Sequence, residues 1–210
     1  MEKRELPLAI GTDVEPQAVR LTETEDKIRR AAFHSIRSGR APDAAELAGA
    51  TGLELPSVNE AVGSAARKGR VVLDDSGRVV GSHGLSLVPA RHRLRLGEDQ
   101  FHTWCAIDAI GIPAALGADA VATTACPVCG RSMEIWFREG RASDDAEIRL
   151  WVPSKEGCTN VVEEYCPEAN LFCSEEHLQL WRRRAGDPPG TVMTLEEGED
   201  LGRTWWGDVA

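Results

Sequence analysis

The chain has 210 residues, a formal net charge of −10, and is 42% hydrophobic and 28% charged. So acidic a chain disfavours contact with nucleic-acid phosphates unless a local basic patch exists, and no run approaches the roughly 18 apolar residues of a membrane helix. The start, MEKRELPLAIGTD, lacks the continuous apolar core of a secretory signal, so a cytoplasmic protein of one large or two small domains is expected.

Residues 1–24 read as an N-terminal arm in which Pro7, Gly11 and Pro16 interrupt any periodicity. A helix is predicted over residues 25–36, where Ile28, Ala31, Ala32, Ser35 and Ile36 form a stripe, with a stop at Ser38-Gly39. Pro42 opens a second helix that ends at Gly52, and Pro56 a third that ends at Gly69; proline suits a first helical turn because its missing N–H had no partner there. RVVLDDSGRVVG then reads as a hairpin around Asp-Ser-Gly. Together these describe a winged-helix-like domain over residues 25–88. Its third helix would face the major groove, but it offers Ser57, Asn59, Glu60 and Ser64, and the basic Arg67, Lys68 and Arg70 lie at its far end. Packing or dimer support is therefore expected of this module, and DNA is not expected as a partner.

Residues 89–210 read as a mixed domain of mainly antiparallel strands, which makes the whole chain α+β. HRLRLG, AVATTAC, SMEIWF, AEIRLWVPS and GTVMTL are the predicted strands. SEEHLQLWRRR is an amphipathic helix with Ser174 as N-cap, a last helix contains Trp205 and Trp206, and residues 139–147 form a loop. FHTWCAIDAIGIPAALG, residues 101–117, reads as one apolar helix carrying Cys105 and Asp108 on the same face.

All six cysteines lie at or beyond position 105, and in a reducing compartment such thiols point to metal binding or catalysis. A carboxylate beside a thiol disfavours the free thiolate. The pair suits a site where an incoming soft metal brings the positive charge: the thiol then loses its proton, and the carboxylate is placed to accept it.

The segment GLSLVPARHRLRLGEDQFHTWCAIDAIGIPAALG, residues 84–117, resembles the active-site segment of the organomercurial (alkylmercury) lyases. The likeness lies in the preceding strand, the Trp-Cys pair, the Asp three residues later and the Pro-Ala-Leu-Gly-like ending. It continues weakly over residues 25–200 and includes Cys166 in EEYCPEANLF. The resemblance implies that Cys105 and Cys166 hold the mercury of R–Hg(II) as thiolates, and that Asp108 carries the proton that cleaves the Hg–C bond. It also implies R–H and bound Hg(II) as products, no organic cofactor, small thiols as carriers of the substrate, and a mercuric reductase as recipient of the metal. Cys126 would fall where the family has a structurally important cysteine. Two other readings stay open: a non-catalytic binder, sensor or carrier of a soft metal (Cu, Zn or Hg), and a lyase-like scaffold acting on another substrate. Asp108 argues against the first, because a carrier needs thiolates and no proton donor.

The tail departs from that pattern. CPVCG (126–130) is a C-x-x-C knuckle, and FCSEEHLQLW places Cys173 and His177 four apart at a helix start. Cys126, Cys129, Cys173 and His177 would form a structural zinc site of the Cys₃His type. A redox pair suits a C-x-x-C that opens a helix, and a set of unpaired thiols with a surface histidine is the remaining alternative. Cys158 matches no ligand cluster and reads as an exposed thiol or a helper in mercury delivery. His34, His83, His92 and His102 read as isolated surface or strand positions, with His102 near Cys105 on the predicted helix.

Overall fold

A computed structural model describes residues 19–143 and 147–209. Most of the expected arm, residues 1–18, lies outside the described residues, as do 144–146 of the expected loop.

The first helix, α1 (Glu23–Arg37), starts two residues before the predicted 25 because its end is capped reciprocally. Thr22 N–H donates to Glu25 Oε2 at 2.6 Å, and Glu25 N–H to Thr22 Oγ1 at 3.3 Å. Asp43 and Glu46 do the same for α2 (Ala44–Thr51), which stops at the left-handed Gly52. Pro56 sits in the first turn of α3 (Leu55–Arg67). The hairpin follows as β1 (Val71–Leu73) and β2 (Val79–Ser82), then β3 (Leu85–Ser86), β4 (His92–Leu96) and β5 (Asp99–Thr103). The central helix α4 (Ala106–Leu116) leads to β6 (Ala120–Ala125), β7 (Ser132–Arg138), β8 (Arg141–Ala142) and β9 (Arg149–Pro153). A π-helical turn (Val161–Tyr165), β10 (Asn170–Phe172), α5 (Glu175–Arg184), β11 (Gly190–Met193) and α6 (Leu195–Trp206) complete the chain.

The strands form an eight-stranded sheet in the order β1-β2-β3-β5-β4-β6-β7-β8 and a three-stranded sheet β10-β9-β11. Every pairing is antiparallel, so the fold is α+β as expected. The large sheet runs from the hairpin into the second half through β3 and β5, where Leu85 pairs with Thr103. Strand β7 alternates strictly: Met133, Ile135 and Phe137 point inward, while Ser132, Glu134, Trp136 and Arg138 face solvent. Helix α4 is buried along most of its length, from Ala106 to Ala114, which explains why its sequence is apolar on all sides.

Two expectations are corrected. Residues 101–117 are not one helix: Phe101 to Thr103 belong to β5, which pairs along its length with β4, and Cys105 is still extended at φ −141° and ψ 174°. The apolar run misleads because a strand end and a buried helix start share it, and burial erases the period of each. His102 is accordingly on a strand, paired with Arg93 and Ser86. The expected loop 139–147 also contains β8, which extends the sheet edge through Phe137–Ala142 pairing.

The basic residues after α3 are engaged within the chain. Lys68 Nζ reaches the buried Glu25 at 2.8 Å. Burial alone would raise the Glu25 carboxyl, but hydrogen bonds from Lys68, Ser64 and Thr22 hold it down at about 2. Arg70 turns inward and donates from Nε to the Val19 carbonyl at 3.0 Å.

Helices α4 and α6 cross at glycines. A Cβ on Gly202 would lie 2.2 Å from Gly111 Cα, and one on Gly111 would lie 2.5 Å from the Trp206 ring. Both contacts are with backbone or a buried ring, so neither can give way cheaply. Gly202→Ala is expected to destabilise the fold by about 3 kcal/mol and lower Tm by about 10 °C, read by thermal circular dichroism. A melting curve matching the parent would contradict this account of the crossing.

Candidate active site

Cys105 is the N-cap of α4 and Asp108 its third residue. The Cys105 N–H donates to Asp108 Oδ2 at 2.8 Å. The two side chains are therefore neighbours through helix capping and not through a shared helical face. An acid at this position also faces the positive end of the helix dipole.

Room for that carboxylate comes from a tight turn. His83 and Gly84 link β2 to β3, and both have positive φ, 51° and 86°, as a two-residue hairpin turn of type I′ requires. A Cβ on Gly84 would stand 2.4 Å from Asp108 Cγ, so glycine is needed there on two counts. The Gly84 carbonyl accepts from Trp104 N–H at 3.1 Å, fixing the residue before the thiol.

Cys166 arrives from the other side, at the C-terminal end of the π-helical turn, with its N–H on the Val161 carbonyl at 2.9 Å. Asn160 caps the other end by accepting from Glu163 N–H at 3.0 Å. The turn is pinned to the end of α3, where Val161 N–H donates to the Lys68 carbonyl at 3.0 Å. Gly69, at φ 66°, permits the approach: a Cβ would sit 2.2 Å from Asn160 Oδ1. Cys158, for which an exposed thiol was one of two readings, is buried against this cap, with Sγ 3.5 Å from the Asn160 carbonyl.

The ligand atoms of Cys105, Asp108 and Cys166 lie within 4.8 Å of one another, and all three residues are buried. They line a pocket of about 60 Å³ walled by Trp104, Tyr165, Trp205, Trp206, His83 and Arg70, among others. Burial, the Cys166 thiol and the Asp108 charge push the Cys105 thiol well above its usual range. Burial also raises the Asp108 carboxyl, to about 6, against the pull of hydrogen bonds from Cys105 and Trp104. At neutral pH the resting site thus holds a protonated Cys105 beside an ionised Asp108. Burial, then the charges of Arg29 and Arg70, keep His83 neutral by driving its pKa well below 6.5. Arg70 remains a cation, lowered by burial to about 10 and drawn back by Cys166 and Cys158.

Sequence reasoning missed Arg70, His83, Tyr165 and the turn at Gly84. The turn had a signal, a His-Gly pair between two short strands; Arg70 and Tyr165 join the site only through tertiary packing. A larger groove, about 210 Å³, lies on the solvent face of the large sheet between Arg93, Arg95, Glu134 and Trp136. No thiol lines it.

The structure also gathers Cys126, Cys129, Cys173 and His177, whose ligand atoms lie within 4.8 Å of one another. They come from the β6–β7 turn and from the junction of β10 with α5. Burial would raise the Cys126 thiol, but backbone N–H groups of Cys173, Cys129 and Val128 point at it and bring it to about 6.

The family model described as Alkylmercury lyase matches residues 85–207, from β3 to the end of α6, and this span holds both cysteine clusters. The chain belongs to the alkylmercury lyase family. It is 30% identical to an alkylmercury lyase of Staphylococcus epidermidis over 137 residues, which is 63% of this chain and 61% of that protein. The chain thus spans about three fifths of that relative's length. With an alkylmercury lyase of Streptomyces lividans it shares 25% identity over 80% of this chain and 76% of the other. The crystal structure of a mercury-bound form of MerB2 superposes with a TM-score of 0.87 at 25% identity, covering 97% of this chain and 99% of that one. The structural likeness therefore reaches α1–α3, which the family model leaves out. Among the described residues, no helix is long and apolar enough to cross a membrane.

Proposed function

We propose that this protein is an organomercurial lyase that cleaves the Hg–C bond of R–Hg(II) by protonolysis, giving R–H and Hg(II). The observation that carries this reading is the meeting of two thiols and one carboxylate, Cys105, Cys166 and Asp108, within 4.8 Å at a buried pocket. Family membership and the mercury-bound neighbour support the same chemistry. The substrate would arrive as its complex with a small thiol.

The steps balance in protons and electrons. The mercury exchanges its small-thiol ligand for the sulfurs of Cys105 and Cys166; one thiol proton leaves with the small thiol and the other goes to Asp108. Two thiolates on a metal that prefers two ligands push electron density into the Hg–C bond. The bond breaks with its electron pair on carbon, and Asp108 returns its proton there. R–H departs, Hg(II) stays on two sulfurs, and Asp108 is again a carboxylate. The rate comes from proximity and general acid catalysis in a pocket walled by Trp104, Tyr165, Trp205 and Trp206. A mercuric reductase or excess thiol would then remove the Hg(II), and a reducing, cytoplasmic setting fits six unpaired cysteines.

A carrier or sensor would need the sulfurs alone, and the buried charge of Asp108 would then have no return for its desolvation. Turnover tests the choice. Benzene released from phenylmercury in excess thiol should give a kcat/KM that rises with pH, with an apparent pKa of about 6, the value to which burial raises Asp108. Below it Asp108 is already protonated and cannot take the thiol proton; above it the carboxylate is free to do so. A kcat/KM independent of pH from 5 to 7, or no benzene at all, would contradict the reading.

A further inference from the structure

We infer that Cys126, Cys129, Cys173 and His177 form a closed zinc site, separate from the catalytic trio, which fastens the β6–β7 turn to the start of α5. The inference rests on donor chemistry, spacing and backbone geometry together. A tetrahedral zinc with Zn–S near 2.3 Å and Zn–N near 2.05 Å sets ligand edges of about 3.8 Å for S···S and about 3.6 Å for S···N. Here Cys129 Sγ is 3.7 Å from Cys173 Sγ, Cys126 Sγ is 3.8 Å from His177 Nδ1, and Cys173 Sγ is 3.0 Å from the same nitrogen. Two of those three edges match, and the third needs a shift of about half an ångström. No pair is at the roughly 2.05 Å of a disulfide, and all six cysteines are free.

The backbone on each side is shaped for such a site. Cys126 N–H donates to the Arg131 carbonyl and Gly130 N–H to the Cys126 carbonyl, both at 2.9 Å. Gly130 has φ 73°, which closes the turn so that both sulfurs of the C-x-x-C emerge on one side. Across from this knuckle, Ser174 caps α5 by accepting from His177 N–H at 3.3 Å. The cap sets His177 one turn into the helix, above Cys173. Three soft thiolates and an imidazole leave no position open, which marks a structural and not a catalytic zinc.

Its place in the fold gives the site a task. Cys173 directly follows β10, and β10 follows the turn that delivers Cys166. The Ala169 carbonyl between them accepts from Ala106 N–H at 3.5 Å, at the start of α4. A metal at Cys173 would thus hold the segment that sets Cys166 against Cys105. The inference stands without the lyase reading, because its readouts are metal content and melting.

The test uses the full chain prepared in zinc-containing medium and freed of loose metal by gel filtration. About one zinc per chain is expected by elemental analysis. Its removal by a chelator should lower Tm by about 10 °C, the shift expected for a chain of this size when a ligand held at about a thousand times its dissociation constant is lost. Cobalt(II) added to the stripped protein should give the visible bands of a tetrahedral thiolate site. Cys129→Ser, at an exposed position that the fold does not pack around, and His177→Ala should both lose the zinc and the cobalt bands. Cys105→Ala and Cys166→Ala should keep them. A zinc-free protein that melts the same with and without added zinc and gives no such bands would overturn the inference. So would bands that survive Cys129→Ser and vanish in Cys166→Ala, because the metal would then belong to the catalytic trio.

Discussion

Cys166→Ala is expected to bind phenylmercury and release almost no benzene. With Cys166 gone, the mercury keeps Cys105 as its one protein thiolate, and R–Hg–S is a stable two-coordinate arrangement. A second sulfur must then come from solution. A tethered, oriented group acts at an effective concentration of about 10⁵ M or more, against millimolar buffer thiol, so a loss of about 10⁴-fold or more in kcat is expected. Cys105→Ala should behave alike, since the two sulfurs act as a unit and their losses do not add. The folding control is favourable: Cys166 sits at the end of a short turn held by the Asn160 cap and by Val161 on the Lys68 carbonyl, none of which involves its sulfur. Gas chromatography of the headspace reads the product. Cleavage within about tenfold of the parent would remove Cys166 from the mechanism.

Asp108→Asn separates binding from proton transfer. The amide keeps the size of the carboxyl and an oxygen to accept from Cys105 N–H, so mercury should still be captured by one thiol, whose proton leaves with the small thiol. It cannot carry the proton, and a loss of about 10³-fold in benzene release is expected, within the range general acids supply. Stability should move the other way. Burial raises the Asp108 pKa from 3.8 to about 6, so the folded state holds this proton more tightly than the unfolded one. The stability this gives is fully present below pH 3.8 and is lost as pH rises through about 6; at pH 7 the ionised group costs about 3 kcal/mol. Asparagine has no such cost. The variant should therefore melt no lower than the parent at pH 7 while being far slower, a separation that general damage to the fold could not produce.

Much of the fold was legible because local chemistry agreed with it. Pro56 opens α3, Gly52 closes α2 and the strand read in SMEIWF is β7, whereas the capping pairs Thr22–Glu25 and Asp43–Glu46 went unread and set the starts of α1 and α2. Legibility failed where burial made the sequence uniform. Phe101 to Ala115 is apolar whether it lies on β5 or α4, so the boundary at Cys105 was invisible, and with it the capping contact that joins Cys105 to Asp108. The short β3, β8 and β10 carry too few residues for any period. The trio itself came from likeness to a family, since no local rule brings residue 166 to residue 105. What does so is a chain of tertiary contacts through Gly69, Asn160 and the Ala169 carbonyl. The juxtaposition of Cys126, Cys129, Cys173 and His177 was readable by a different route: a C-x-x-C knuckle and a Cys/His pair at a helix start each have a recognisable local form, and the structure brings those two forms to one place.

The most direct test of the central claim is a single turnover, with one equivalent of phenylmercury supplied as its one-to-one small-thiol complex and no excess thiol, in which benzene and protein-bound mercury are measured in the same sample. The parent protein should yield one benzene for each mercury retained, whereas Asp108→Asn should retain the mercury with its phenyl group intact. Equal benzene from both proteins, or mercury held by the parent with the Hg–C bond unbroken, would contradict the assignment of Asp108 as the proton carrier between two thiolates and carbon.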